Sequence, residues 1–380
     1  MNRLFSHAII TLFLCGDIMT GRGIDQILPH SVDPQLYEPF VHDARRYVEL
    51  AEQVNGPIQH PVDFDYVWGD ALEEFRHRQP DVKIINLETS VTAEGEPWPD
   101  KGINYRMHPG NVPLLTTAGI DISVLANNHV LDWDYQGLTD TLATLRKASI
   151  KIAGAGDNRA EAAAPAVMDV AGKGRVLVFS FGSTSSGIPP VWAATPDRPG
   201  VNLLPDLSTR TVERIADLVR KVKRPEDIVV ASIHWGGNWG YQIPAAHRSF
   251  AHQLLDRAGV DLIHGHSSHH ALGIEVHHGK LILYGCGDLI TDYEGIGSHE
   301  AYRGDLGLLY FARIDTQTGK LAGLDMVPMP IRKFRLQRAA RPEAEWLRDT
   351  LNREGLGFGT DVTIEPDNTL VLHWQERSSR

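Results

Sequence analysis

The sequence predicts an α/β protein whose chemistry collects at the ends of its strands. Short apolar, β-branched runs recur along the chain, as strands buried on both faces do. Amphipathic helical segments lie between several of them, the alternation expected of an α/β architecture. Each run ends in polar residues, and in such folds ligand sites gather at the carboxyl ends of the strands.

Taken in order, Ile9–Cys15 delivers Gly16-Asp17, Val82–Ile85 delivers Asn86-Leu87-Glu88, and Ile122–Ala126 delivers Asn127-Asn128-His129. Val176–Phe181 runs into Gly182-Ser183, Ile228–Ile233 into His234-Trp235-Gly236, and Val260–Ile263 into His264-Gly265-His266. Helical periodicity covers Gly137–Ala148, with Leu138, Leu142 and Leu145 on one face. Thr209–Val222 starts behind Ser208, a residue type that caps helices, and Ala245–Ala258 starts behind Pro244 and stops at Gly259.

Three regions depart from the alternation. Residues 25–68 read as an early insertion with a helix over Asp43–Gln53. The proline-rich stretch 184–206 reads as a long ordered loop. From about residue 305 the pattern becomes strands at Leu306–Ile314 and Leu324–Pro328, a helix near Pro342–Arg353, and a strand pair around Gly359–Asp361 and Leu370–Trp374. The expected division is a main domain over 8–304 and a small C-terminal accessory unit over 305–380 that completes or flanks it.

With 37 Lys and Arg against 48 Asp and Glu, the 380 residues carry a formal charge of −11. There is no global basic field to hold nucleic acid or an anionic membrane surface. Two cysteines, Cys15 and Cys286, make no disulfide framework and read as buried thiols. Arg3 followed by the apolar Ala8–Leu14 superficially resembles a signal peptide, but the run ends in Cys-Gly-Asp with no small-x-small cleavage site. Elsewhere nothing reaches the roughly 18 apolar residues of a membrane span. The expectation is a soluble, cytoplasmic protein without direct membrane insertion.

Histidine is the conspicuous residue: 18 in the chain, nine of them between His234 and His278. The polar strand ends taken together offer Asp17, Asn86, Glu88, Asn127, Asn128, His129, His234, His266 and His269. Two carboxylates, an amide oxygen and several imidazoles suit a borderline divalent ion such as Zn, Mn or Fe, and not an all-oxygen calcium cage. One or two such ions would bind and polarise an anion and generate hydroxide at neutral pH. His129, beside Asn128, is placed to protonate a leaving group or stabilise developing charge.

The ordered set Gly16-Asp17-Ile18-Met19, Asn86-Leu87-Glu88-Thr89, Leu125-Ala126-Asn127-Asn128-His129, His234-Trp235-Gly236 and Gly265-His266-Ser267-Ser268-His269 resembles the CapA family, over about Leu12 to Asp292. Gly154-Ala155-Gly156 and Leu283-Tyr284-Gly285-Cys286-Gly287-Asp288 extend the match. That family is linked to poly-γ-glutamate capsule synthesis, and its domain resembles calcineurin-like metallophosphoesterases. The resemblance implies an α/β/β/α sandwich with mixed sheets, metal ligands at Asp17, Glu88, Asn128, His234 and His266, and a catalytic His129. Two departures stand out. Met19 occupies the place where phosphoesterases carry an imidazole ligand, and the Gly-His-Ser-Ser-His segment brings His269 one residue late. Many CapA relatives also carry a histidine at the place of Ser267 and an asparagine at that of Asp288.

Blander roles stand beside these. Asp17 and Asn127 are also turn formers, Glu88 a capping residue, and His129 a structural histidine. Lys101 and Arg106 lie in a loop after the Glu88 strand, either holding an anionic substrate or merely solvated, and Trp235 either lines a cleft or packs. His264 and His270 read as structural, His277 and His278 as a solvated hairpin turn, and His247 and His252 as surface residues of a helix. The functional expectation is a metal-dependent hydrolase acting on a phosphoester or a capsule-related poly-γ-glutamate substrate. The alternative is a non-catalytic accessory protein of a capsule assembly, with capsule-synthesis partner proteins and a degenerate metal site.

Overall fold

The computed structural model describes residues 8–297 and 299–375. Arg3, part of the signal-peptide-like start, lies outside them. The chain opens in the first sheet with β1 (Ile9–Ile18), β2 (Val82–Leu87), β3 (Ile122–Val124) and β4 (Lys151–Ala153), all mutually parallel. It then builds the second sheet from β5 (Ala166–Val170), β6 (Gly174–Gly182), β7 (Ile228–His234), β8 (Leu262–His266), β9 (Ile274–His277) and β10 (Lys280–Leu283), in the order β9-β10-β8-β7-β6-β5. Finally it returns to the first sheet with β11 (Asp288–Ile290), β12 (Leu306–Asp315), β13 (Leu321–Arg332), β14 (Thr360–Ile364) and β15 (Leu370–Trp374), giving the order β14-β15-β13-β12-β1-β2-β3-β4. β11 adds to β1 in parallel at its carboxyl end, while β12 runs antiparallel along the rest. The strands beyond residue 305 are therefore hydrogen-bonded members of the first sheet.

Side-chain parity sorts the strands into layers, because successive residues face opposite sides. Ile10, Leu12 and Leu14 of β1, with Val82, Ile84, Ile122 and Val124, meet Val176, Val178, Ile228, Val230 and Leu262 of the second sheet in a core between the sheets. Phe13, Cys15, Ile85 and Leu87 point the other way. They pack under helices α1 (Arg45–Asn55), α2 (Ala71–Arg78) and α3 (Asp134–Lys147) through Tyr47, Val48, Phe75, Leu138 and Leu142. On the outer face of the second sheet, Leu177, Phe179, Val229, Ala231 and Ile233 pack against α4 (Thr209–Val222) and α5 (Ala245–Arg257) through Val212, Ile215, Phe250 and Leu254. The result is a four-layer α/β/β/α sandwich, closed at one end of the middle core by Leu347 and Leu351 of α6 (Arg341–Gly355).

Helix ends follow the sequence signals. Ser208 accepts from the Thr211 amide at the start of α4, and Lys223 Nζ donates to the Gly259 carbonyl just beyond α5. The proline-rich stretch 184–206 is held by two turns of 3₁₀ helix and by Gly200–Val201, which pairs with Ala155–Gly156. Among the described residues, no helix is long and apolar enough to cross a membrane.

Leu12 sits fully buried on the central strand between the two sheets. We expect Leu12→Ala to lower the unfolding free energy by about 2–5 kcal/mol, measured by urea denaturation. A loss well under 1 kcal/mol would contradict a close-packed core at that position.

Candidate metal centre

The site is the polar continuation of the core between the sheets. On β7, Ile228 and Val230 face that core, and the same parity carries Ser232 and His234 onto it; on β8, Leu262 is followed by His264 and His266. β7 and β8 are in parallel register, with Ser232 opposite His264 and His234 opposite His266. β1 reaches the same place by a different device. Its pairing with β2 slips between Leu14 and Asp17, so three residues of β1 span the two from Ile84 to Asn86. Without this bulge Asp17 would share the helix-facing side of Phe13 and Cys15, and with it the carboxylate turns to the site. Gly16 permits the bend to be covered: a Cβ there would lie 1.5 Å from the Gly287 carbonyl oxygen, which accepts the Asp17 amide at 2.9 Å.

Asp17, His234 and His266 converge, with one ligand atom from each lying within 4.8 Å of the others, and all three are fully buried. His234 and His266 share a proton between their Nδ1 atoms at 2.7 Å, and His266 Nε2 meets Ser232 Oγ at 2.9 Å. His234 Nε2 lies 2.8 Å from Asn128 Oδ1 and 3.8 Å from Glu88 Oε1. Asn86 Nδ2 donates to both acids, at 2.7 Å to Asp17 and 3.2 Å to Glu88. The Ser267 amide donates to the other Asp17 oxygen at 3.2 Å. Burial, reinforced by the neighbouring Asp288 carboxylate, raises the Asp17 pKa to about 7. Burial and the adjacent Asp17 push Glu88 well above the ordinary carboxylate range. Burial holds His234 and His266 well below the ordinary imidazole value, so both are neutral, as metal ligands must be.

His129 stands on the rim of this group, its Nε2 3.8 Å from Glu88 Oε1. Its Nδ1 lies 2.6 Å from Asp132 Oδ2, an ionised carboxylate that can only accept and so selects the Nδ1–H tautomer, while Lys101 Nζ, 3.0 Å from the same ring nitrogen, pairs with the other Asp132 oxygen at 2.7 Å. The Tyr105 ring packs edge-on against the imidazole at 4.7 Å. Burial lowers the His129 pKa to about 4, more than Asp132 raises it, so the ring is neutral with its Nε2 lone pair towards the centre. His269 Nδ1 is bound 2.9 Å from both oxygens of Asp288, which is the register partner of Asp17. Burial opposes the charged imidazole there, yet Asp288 leaves its pKa raised.

The residues expected to touch substrate fare differently. Asn86 and Asn127 are framework: Asn127 Nδ2 donates to Asn86 Oδ1 and the Leu87 carbonyl, while its Oδ1 accepts the His129 amide. Lys101 belongs to the His129–Asp132 group. Arg106 lies elsewhere, its guanidinium 3.6 Å over the Trp133 ring and donating to the Asp33 carbonyl. Trp235 lines no cleft: parity turns it to the helix side, stacked 4.5 Å from His247 and donating to the Tyr284 carbonyl. His247 is thus buried, not a surface residue. Two participants escaped sequence reading: Asp132 lies three residues after His129 and Ser232 two before His234, while Asp288, which the resemblance marks only as a departure, closes the Gly-Cys-Gly-Asp segment. The first two spacings are local signals.

Residues 11–293 match the family model described as bacterial capsule synthesis protein PGA_cap. The chain belongs to this family. A Mycobacterium tuberculosis protein named "Probable polyglutamine synthesis accessory protein" is 50% identical over 365 residues, 96% of each chain. The capsule biosynthesis protein CapA of Bacillus anthracis is 25% identical across 85% of this chain and 68% of its own. The PGA biosynthesis protein CapA of Bacillus subtilis is 26% identical across 76% of this chain and 65% of its own. Family membership and the four-layer sandwich agree with the fold that the motifs imply.

The donor set fits a borderline divalent ion. It offers one carboxylate and two neutral imidazoles in mutual reach, with Glu88 and the Asn128 amide oxygen beside them. Three buried acids, Asp17, Glu88 and Asp288, face His269 and Lys101 as the cationic groups acting on them.

The buried His247 gives a pH test of the packing. Its pKa is lowered to about 4 by burial, against an ordinary 6.5. Between those values the unfolded chain binds the extra proton, so this residue's contribution to stability is lost as pH falls. We expect the stability of His247→Phe relative to the native protein to improve as pH drops from 6.5 towards 4. Parallel urea curves that keep a constant difference across that range would refute the assignment.

Proposed function

We propose that this protein is a metal-dependent hydrolase serving poly-glutamate capsule synthesis, acting on an anionic substrate, either a phosphoester or a γ-glutamyl bond. The observation that carries the reading is the convergence of buried Asp17, His234 and His266 at the carboxyl ends of strands from both sheets. These three would hold the ion, with Glu88 and Asn128 completing its shell. One bound Zn, Mn or Fe would supply a Lewis acid and a hydroxide at neutral pH.

The chain's own residues divide the remaining work. Asn86 fixes the two acids in orientation through one amide group. Asp132 holds the His129 Nδ1 proton, so Nε2 is the atom that exchanges a proton with the reacting group. Lys101 neutralises Asp132 and adds positive potential at the mouth of the site. His129 is neutral in the resting protein, and an anion bound beside it raises its proton affinity, readying it to protonate a leaving group.

A second reading, that of a non-catalytic accessory protein, is favoured by Met19. Its side chain is fully buried and its Sδ accepts the Tyr293 hydroxyl at 3.5 Å, where a two-metal phosphoesterase would need imidazole. This argues for one ion rather than two and keeps the alternative alive for capsule-synthesis partners. The readings separate experimentally. The purified full chain, loaded with Mn, Zn or Fe, should bind stoichiometric metal at the centre and turn over phosphoesters or γ-glutamyl peptides. His234→Ala should lose that metal, and His129→Ala should keep it while losing about 10²–10⁴-fold in kcat. Metal binding without turnover of either substrate class selects the accessory reading. Unchanged turnover in His129→Ala removes that residue from the mechanism.

A further inference from the structure

A second group of histidines lies at the opposite end of the second sheet. The β9–β10 turn, His278-Gly279, follows the pair His277 and Lys280, and Leu281 pairs with Leu262 at the start of β8. The turn is therefore at the amino end of the parallel strands, whereas the centre described above is at their carboxyl end. Helix α5 crosses here and presents His252 and Asp256, four residues apart and so on one face. Glu275 and His277, two apart, share one face of β9.

The contacts divide these five side chains into two parts. Asp256 receives His277 Nε2 at 3.1 Å on each of its oxygens, and His278 Nδ1 at 3.0 Å on Oδ1. His252 instead gives Nε2 to Glu275 Oε1 at 3.0 Å, and Glu275 Oε2 is held by the Tyr284 hydroxyl at 2.7 Å. The His252 and His277 rings stack at 3.9 Å with only 6° between their planes. An imidazole binds metal in its own plane, and no point lies in two parallel planes, so His252 and His277 as stacked cannot share an ion. His277 and His278 are tilted by 36° at 4.0 Å and both aim at Asp256.

We propose that Asp256, His277 and His278 form a peripheral zinc-class site that clips α5 to the β9–β10 hairpin. One ligand atom from each of the three lies within 4.8 Å of the others, His277 Nε2 and His278 Nδ1 both reach Asp256, and the set is that of a three-ligand zinc site with its fourth position open to water. On binding, the proton that each imidazole now donates to Asp256 would move to the ring's other nitrogen, so that His277 Nε2 and His278 Nδ1 take zinc as neutral ligands in place of those hydrogen bonds. His252 is a positioning residue: its stack fixes the His277 ring, and the Glu275–Tyr284 pair fixes His252. β9 is the outer strand of its sheet; the Thr360 hydroxyl holds its first residue at the Ile274 carbonyl, 2.8 Å away, and a clip at His277 and His278 would restrain its other end.

The test compares zinc stoichiometry of the full chain with that of Asp256→Ala/His278→Ala, by competition against a chromophoric chelator. The variant should hold one equivalent fewer, whatever the central site contains, and the equivalent lost should bind at about 1 μM or tighter. Zinc should raise the melting temperature of the native chain more than that of the variant. His252→Gln should keep the equivalent, with affinity reduced by less than about tenfold. Equal stoichiometry in native and doubly substituted chains overturns the proposal, and loss of the equivalent in His252→Gln overturns the assignment of the three ligands.

Discussion

Burying three carboxylates at one point is the constraint around which the rest of the molecule is arranged. Asp17, Glu88 and Asp288 are all inside the protein, and desolvation disfavours the charged forms of Asp17 and Glu88. Neutral donors can orient such groups: Asn86 spans two of them, and the Ser267 amide serves Asp17. Donors do not cancel charge. His269 does so for Asp288, and Lys101 acts on Glu88 from beyond Asp132. The proposed ion both orients and neutralises the remaining pair, which makes the acids an asset to binding rather than a standing cost.

The same alternation that makes the core makes the site. Inter-sheet positions are apolar through the middle of β7 and β8, then become Ser232, His234, His264 and His266 without any change of parity. Ser232 Oγ joins His264 Nδ1 and His266 Nε2, and His264 Nε2 reaches the Cys15 carbonyl across the gap between the sheets. The imidazoles are thereby tied to β1 through backbone as well as through Asp17. Only β1 needs an irregularity to contribute, and it has one, in the bulge around Gly16.

Much of this was legible before any coordinates. Continuous apolar runs located the strands, and their polar ends located Asp17, Glu88, Asn128, His129, His234 and His266, because a run buried on both faces leaves only its ends for chemistry. What remained hidden depended on parity beyond the run and on register between strands. Trp235 follows His234 immediately, yet one step along a strand reverses the face, and it packs with the helices. Arg106 shares a short strand with Met107 and is captured by Trp133. Asp288 joins the centre only because β11 returns to β1 after the whole second sheet has been built, a contact that spans 271 residues and leaves no local trace.

Histidine shows the same division. A count could mark the stretch from His234 to His278, but the count mixes imidazoles from opposite ends of one sheet. Strand direction separates them: His234, His266 and His269 follow the carboxyl ends, whereas His277 and His278 sit at a hairpin beside the amino ends. His247 and His264 fall between and are spent on packing and on a backbone carbonyl. Two groups of imidazoles with carboxylates, insulated from each other by the length of the parallel strands, need not share an ion, a substrate or a purpose. The central group draws on both sheets and sits in the mouth of the core, where binding couples to whatever chemistry occurs there. The peripheral group draws on one helix and one edge hairpin, so an ion bound there acts on the fastening of that edge and leaves the central geometry as it is.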